Sequence, residues 1–473
     1  MQREKHQNLS IYLLLLLCLY FVFFQHLGSF HILNWDESLF AVNACEMIRN
    51  HNFIGLFYKN LPDLFNTKPP LQVWLQVLFI KAIGYNELAI RLPSALASSC
   101  SALLLFHFIK KRASLVFALC VFFVFITSFG VYTFHSARTG DADALLAFLI
   151  LCYSISFYKW LFDNKSISLF YFFIFLILAF LTKSIAALLF MPALLIAVFY
   201  FKKAGQLFKS KWFYIGLVLF LFISITYLWL RNYYNPGYIN ILINNDMGRY
   251  TTILDSHAEP FDFYYIQWFE RRFLWLILVL PGAALMWFNS KLRHVFIYLT
   301  LLFVTYFLIL SCSVSKVVWY DLPVYPIFSV FSGYALYVLI SKFNFNQKPV
   351  QTFLMLFSIF FIPLYFAFRN AAKNDMKNED KKLEILTEYA YKNKNNESLN
   401  KVTFLTLYFD RPLYFYKYKL NAKGMDFKIV NSIDSLKENS TVIVAEDSLK
   451  NTLLNKYKAT IIEEYKSVLR LKI

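Results

Sequence analysis

The sequence predicts a polytopic α-helical membrane protein of about eleven transmembrane helices with a small C-terminal α/β domain, and three observations carry that prediction. Of 473 residues 59% are hydrophobic, with 54 Phe and 32 Tyr and a mean hydropathy of +0.49, which leaves too little polar surface to cover a water-soluble globule. Charged and turn residues cut the first 370 positions into eleven apolar stretches, near 10–30, 88–108, 115–134, 145–161, 167–181, 185–201, 212–230, 273–288, 295–312, 322–340 and 350–368. Beyond these the composition turns charged (AAKNDMKNEDKKLEILTEYAY), and then VTFLTLY, FKIV and STVIVAE alternate with polar helical runs, the pattern of an α/β domain.

The chain begins with a basic stretch, MQREKHQNLS, followed by IYLLLLLCLYFVFF, and lacks a small-residue cleavage site, so an uncleaved first span is expected. Several of the eleven stretches lie near the ~17-residue minimum for crossing the hydrocarbon. With only 12 Gly, the bundle is expected to be held by large aromatic side chains rather than by close small-residue contacts. The segment 71–84 (LQVWLQVLFIKAIG) is apolar but short and carries Gln72, Gln76 and Lys81, which suits a helix lying in the interface.

Charge supports that count. With 71–84 at the interface, Lys110, Lys111, Arg112, Lys159, Lys165, Lys202, Lys203, Lys291 and Arg293 all fall on the side of Arg3 and Lys5, as the positive-inside rule asks. The net charge of +18 is thereby a topology signal, and no basic stripe suited to nucleic acid is present. The outer side receives the intervals 34–87, 135–143, 182–184, 231–272 and 313–321, together with the C-terminal domain. The expected organisation is a membrane domain over 1–370, with outer loops 34–87 and 231–272, and an outer-face domain over 371–473.

Those outer intervals hold the residues capable of chemistry. Asp36 and Glu37 follow the first span and open an amphipathic helix; they suit either helix capping or a general base held at the membrane surface. Lys68, ahead of Pro69 and Pro70, is either a lysine reaching the interface or a fixed charge for a lipid phosphate. The run HSARTGDAD places Arg138, Asp141 and Asp143 at the mouth of a span, where Asp143 caps a helix or joins a site. Lys183 and Lys316 are isolated cations beside apolar runs, either interface anchors or ligand contacts. Arg249 and His257 lie in the long loop, and a single histidine there is as readily a solvated loop residue as a metal ligand. Cations and carboxylates drawn from five loops on one face suit a reaction on an anionic lipid headgroup.

In order along the chain, Trp35-Asp36-Glu37 with Ala41 and Glu46, Lys68-Pro69, Arg91-Leu92-Pro93, Arg138 to Asp143, Leu181-Thr182-Lys183, HAEPFDFYY at 257–265, and Ser315-Lys316 through Tyr320 to Pro323 resemble the bacterial branch of the GT-C glycosyltransferases. That branch includes the aminoarabinose transferases of lipid A and relatives of the protein O-mannosyltransferases. The resemblance implies Asp36 as catalytic base, with Asp143 assisting and Glu37 beside it. It also implies that Lys68, Arg138, Lys183, Arg249, Lys316 and Tyr320 hold a donor phosphate. Where the lipid A enzymes carry an acid before the Lys-Pro pair, this chain has Thr67, which removes a ligand that would share a divalent metal with His257.

The expected function is transfer of a sugar, with inversion, from a polyprenyl-phosphate donor to a hydroxyl of a lipid, glycan or protein acceptor at the outer face of the bacterial inner membrane. No cofactor is required, because fixed cations stabilise a lipid-phosphate leaving group. The alternative is a lipid-linked saccharide transporter, but transporters keep ionisable groups at the midplane, whereas these acids sit in loops.

Overall fold

A computed structural model of the chain describes residues 2–133, 135–252, 257–342, 349–373, 381–407 and 409–473. It divides into two compact units, one of 1–25, 62–72 and 93–373, the other of 26–61, 73–92 and 374–473. The C-terminal domain thus shares its unit with most of the stretch that follows the first span.

The first unit is the helical bundle. Among the described residues six helices are long and apolar enough to cross a membrane: Glu87–Arg112, Asp143–Asp163, Ser168–Leu188, Lys211–Tyr234, Arg293–Ser311 and Val318–Ser341. A seventh is a bent pair, Val350–Ile359 and Phe361–Asn370, meeting at 71°. Pro363 accounts for the bend, since its ring displaces the carbonyl one turn earlier, at Ile359, and it has no amide to donate. The remaining four expected spans are shorter apolar helices, Leu9–Phe24, Leu115–Ile126, Met191–Tyr200 and Leu276–Phe288. In Leu115–Ile126 the stop is local: the hydroxyls of Thr127 and Ser128 turn back onto the carbonyls of Phe123 and Val124, both at 2.6 Å, and compete with further helix.

Aromatic contacts hold this bundle, as with Phe123 stacked on Phe360 at 5.1 Å and Trp268 edge-on to Phe328 at 5.0 Å. Glycine is used where backbones meet: a Cβ at Gly282 would fall 1.8 Å from the Phe331 carbonyl oxygen, so only glycine lets those helices touch.

In the second unit five strands form one sheet: β1 Thr403–Leu405, β2 Lys428–Val430, β3 Thr441–Val444, β4 Thr460–Tyr465 and β5 Val468–Lys472, in the order β2-β1-β3-β5-β4. β1 runs parallel to β2 and β3, and β5 is antiparallel to β3 and β4. Its apolar side, Leu405, Val442, Val444 and Leu471, is covered by Leu449 and Leu453 of the helix Asp447–Tyr457. Charged contacts join this domain to the chain's early segments. Lys419 lies 2.8 Å from Glu87, Lys59 2.8 Å from Asp410, and the Tyr418 hydroxyl donates to Glu46 at 2.5 Å.

Candidate functional site

The bundle unit contains a cavity of about 90 Å³ whose walls include Thr67, Lys68, Asp143, Lys183, Ser184, Asp246, Arg249 and Tyr320. Each polar wall has a local cause. The backbone ahead of Lys68 is a turn in which the Asp63 carboxylate accepts from the amides of Phe65 and Asn66, and Asn66 in turn accepts from the amide of Lys68 at 3.1 Å. Arg231 donates to the carbonyls of Asp63 and Asn66, both at 3.1 Å, and the Tyr238 hydroxyl to that of Thr67 at 2.9 Å. Helices far along the chain therefore fix the position of Lys68, before its two prolines add their own restriction.

Lys183 closes the helix Ser168–Lys183, and its Nζ lies 2.5 Å from Oδ1 of Asp143, the first residue of Asp143–Asp163. Both are buried. The Tyr320 ring sits between two cations, 4.4 Å from Lys183 Nζ and 5.3 Å from the Arg249 guanidinium carbon. The short turn Val318–Val324 that carries Tyr320 is anchored by its next residue. Asp321 takes two bonds of 2.9 Å from Arg272, one of 2.9 Å from Trp268 Nε1 and one of 2.9 Å from the Tyr325 hydroxyl.

Asp246 completes the cavity, accepting from the Ser184 hydroxyl at 3.2 Å. Burial raises its carboxyl pKa above the usual 3.8, against the opposite pull of the Ser184 bond and of the charges on Lys68, Arg249 and Lys183. Three cations thus face two carboxylates, one of them held toward its neutral form, and the space between suits a small anion. Asp246 and Ser184 were not assigned to the site from sequence, and Thr67 entered only as the residue ahead of the Lys-Pro pair; helical spacing would have placed Asp246 and Arg249 on one face of Tyr238–Thr251.

The other expected residues lie elsewhere. Arg138 is buried and donates to the carbonyls of Val22, Phe23 and Gln25 at 3.2, 3.3 and 2.9 Å, capping the end of the first helix, and it is absent from the cavity wall. Lys316 donates to the carbonyls of Ser313 and Glu259 at 2.6 and 2.7 Å and stitches the loop 313–316 to the long loop. His257 takes part in the same seam through its carbonyl, which accepts from the amide of Lys316 at 2.9 Å. Among the described residues His257 does not belong to a group of three or more His, Cys, Asp or Glu side chains at ligating distance of one another.

In the second unit Asp36 is half-buried and opens the helix Asp36–Asn50 directly after Trp35, whose φ of 64° is costly for a bulky residue. The Trp35 ring stacks on Phe409 at 4.9 Å. Glu37 is buried and bonded to Arg91 at 2.6 and 2.9 Å and to the amide of Leu33 at 2.8 Å, while Arg91 also takes the carbonyls of Leu27, Phe30 and His31. Every one of these bonds secures a turn of the backbone.

Residues 67–229 match the family Dolichyl-phosphate-mannose-protein mannosyltransferase. An uncharacterized protein of Aquifex aeolicus (strain VF5) is 25% identical over 336 residues, 68% of this chain and 63% of that protein. The chain spans less than two thirds of the length of the curated relatives it matches. Among solved structures, ArnT from Cupriavidus metallidurans bound to undecaprenyl phosphate superposes with a TM-score of 0.74 at 16% identity, covering 98% of each chain. The archaeal oligosaccharyltransferase AglB from Archaeoglobus fulgidus, in complex with an inhibitory peptide and a dolichol-phosphate, does so at 0.56 and 11% identity, covering 89% of this chain and 64% of that one. Together with the helical bundle and the C-terminal sheet, these likenesses establish that the chain has the GT-C-type membrane fold of ArnT.

Proposed function

We propose that the chain is a membrane glycosyltransferase that moves a sugar from a polyprenyl-phosphate donor to an acceptor hydroxyl at the face opposite the basic loops. The observation that carries this reading is the cavity of Lys68, Lys183, Arg249 and Tyr320, a small anion's site built from four separate segments of the bundle. The match to a dolichyl-phosphate-mannose-dependent family and the likeness to ArnT, whose structure holds undecaprenyl phosphate, support a lipid-phosphate ligand.

In this reading the acceptor oxygen attacks the anomeric carbon, the bond from that carbon to the phosphate oxygen breaks, and the polyprenyl phosphate leaves with the electron pair. Lys68, Lys183 and Arg249 offset the charge developing on the leaving oxygen, the largest contribution available to such a step. Asp36 takes the acceptor's proton. Asp36 stands in the first turn of its helix, where a negative charge complements the helix dipole, and the strained backbone at Trp35 is of the kind retained at functional positions, at about 1–3 kcal/mol each. Asp143 assists by holding Lys183 in place. Arg138 and Lys316 support the loops, and Glu37 supports the turn before Asp36. One displacement with one base inverts the anomeric centre. The sugar, hexose or pentose, and the acceptor, lipid, glycan or protein, are set by contacts outside this cavity. The bacterial inner membrane, with 371–473 at its outer face, is the proposed location.

Transfer of labelled sugar from a polyprenyl-phosphate donor in vesicles reconstituted with the purified chain tests the reading. Product formation without net movement of the lipid across the bilayer supports it. Lipid movement without transfer would establish the transporter instead.

A further inference from the structure

The bundle holds a second, larger cavity of about 640 Å³, within the ~300–1,000 Å³ range of built ligand sites. Its body is apolar, with Leu105, Ile150, Leu302 and Ile327 among the buried walls. Arg112, Lys291 and His294 line it as well. Arg112 and His294 belong to the ends of the helices Glu87–Arg112 and Arg293–Ser311 that meet the basic loops, and Lys291 lies in the turn just ahead of the second. The smaller, cation-lined cavity lies at the other end of Arg293–Ser311, a helix of 19 residues and so about 28 Å long at 1.5 Å per residue. Phe190, in the wall of the larger cavity, stacks on Tyr306, in the wall of the smaller, at 4.7 Å.

We propose that this cavity binds one phospholipid with an anionic headgroup, drawn from the leaflet on the basic side, its acyl chain in the apolar body and its phosphate at Arg112 and Lys291. Charge selects the occupant. The segments at this end of the cavity carry Lys110, Lys111, Arg112, Lys291 and Arg293 against Asp163, which is bonded to Arg112. Arg112 also lies 4.0 Å from the Phe108 ring, which sets its guanidinium over the apolar wall. Lys291 is exposed and accepts a headgroup without desolvation of the bundle.

The test is native mass spectrometry of the delipidated full chain, titrated with phosphatidylglycerol or with phosphatidylethanolamine. The expected result is one tightly held phosphatidylglycerol, preferred over phosphatidylethanolamine, with affinity falling by about fivefold for each cation removed in Arg112→Gln and Lys291→Gln. Lys291→Gln changes an exposed side chain, so its unfolding without lipid should match wild type. Ser154→Phe, which fills the cavity from the helix Asp143–Asp163, should abolish the adduct while phosphate-probe binding to the Lys68 cavity persists. Equal retention of both phospholipids would overturn the proposal, as would one-for-one displacement of phosphatidylglycerol by polyprenyl phosphate, which would give the cavity to the donor's tail.

Discussion

Lys183 Nζ and Asp143 Oδ1 lie 2.5 Å apart, a buried pair joining the last residue of one helix to the first residue of another. Such a pair fixes the ammonium in the cavity wall, and its loss removes that restraint on Lys183. Asp143→Asn should therefore raise the KM for donor by about tenfold, as expected for loss of a charge-assisted bond, while leaving the pH profile of kcat in place. A fall in kcat with unchanged KM, and a displaced pH profile, would make Asp143 the base.

Lys68 and Arg138 both precede helical segments in polar loops, and their positions predict opposite phenotypes. Lys68→Ala should weaken donor binding by roughly tenfold to a hundredfold, the loss of one hydrogen bond to a charged phosphate, with little change in thermal unfolding. Arg138→Ala should lower stability by leaving the carbonyls of Val22, Phe23 and Gln25 without their donor, while donor affinity per folded molecule persists. Calorimetric titration alongside thermal unfolding separates the two, and the reverse pattern would exchange their roles.

Asp246 gives the site a pH dependence. Its proton is held more tightly in the folded chain than in the unfolded one, so its contribution to stability is fully present below 3.8 and is lost as pH rises through the higher folded value. Protonation leaves Lys68, Lys183 and Arg249 facing Asp143 alone. Affinity for a sugar phosphodiester, whose own charge is constant, should accordingly rise as pH falls from neutrality toward about 4. Asp246→Asn should bind more tightly at neutral pH with a flatter profile; an unchanged profile would remove Asp246 from the site.

Much of the fold was legible because hydrophobic patterning survives in short or broken helices: all eleven expected stretches are helical, though four are short and one is bent by Pro363. The strands β1, β2 and β3 followed from their β-branched runs, and the β4–β5 hairpin completes the sheet beside β3. The site was legible in part. Lys68, Asp143, Lys183 and Arg249 were marked by charge beside apolar runs and Tyr320 by the family resemblance, and they meet in one cavity. Arg138, Lys316 and Glu37 carry the same mark but bind backbone carbonyls, amides or Arg91, because a buried turn needs charged partners as much as a ligand does. Nothing in sequence spacing separates the two uses.

Glu37 and Arg91 make that difference measurable. Breaking a buried pair by removing one partner costs about 3–5 kcal/mol, so Glu37→Ala should unfold at markedly lower temperature, and its loss of activity should follow the loss of folded protein. Activity lost from a Glu37→Ala chain of wild-type stability would return Glu37 to the chemistry.

The proton acceptor is the centre of the account, and Asp36→Asn examines it with shape preserved. Single-turnover transfer from a polyprenyl-phosphate sugar to acceptor should slow by ~10²-fold or more, while donor affinity and thermal unfolding stay at wild-type values. Transfer at a near wild-type rate by the Asp36→Asn protein would contradict the assignment.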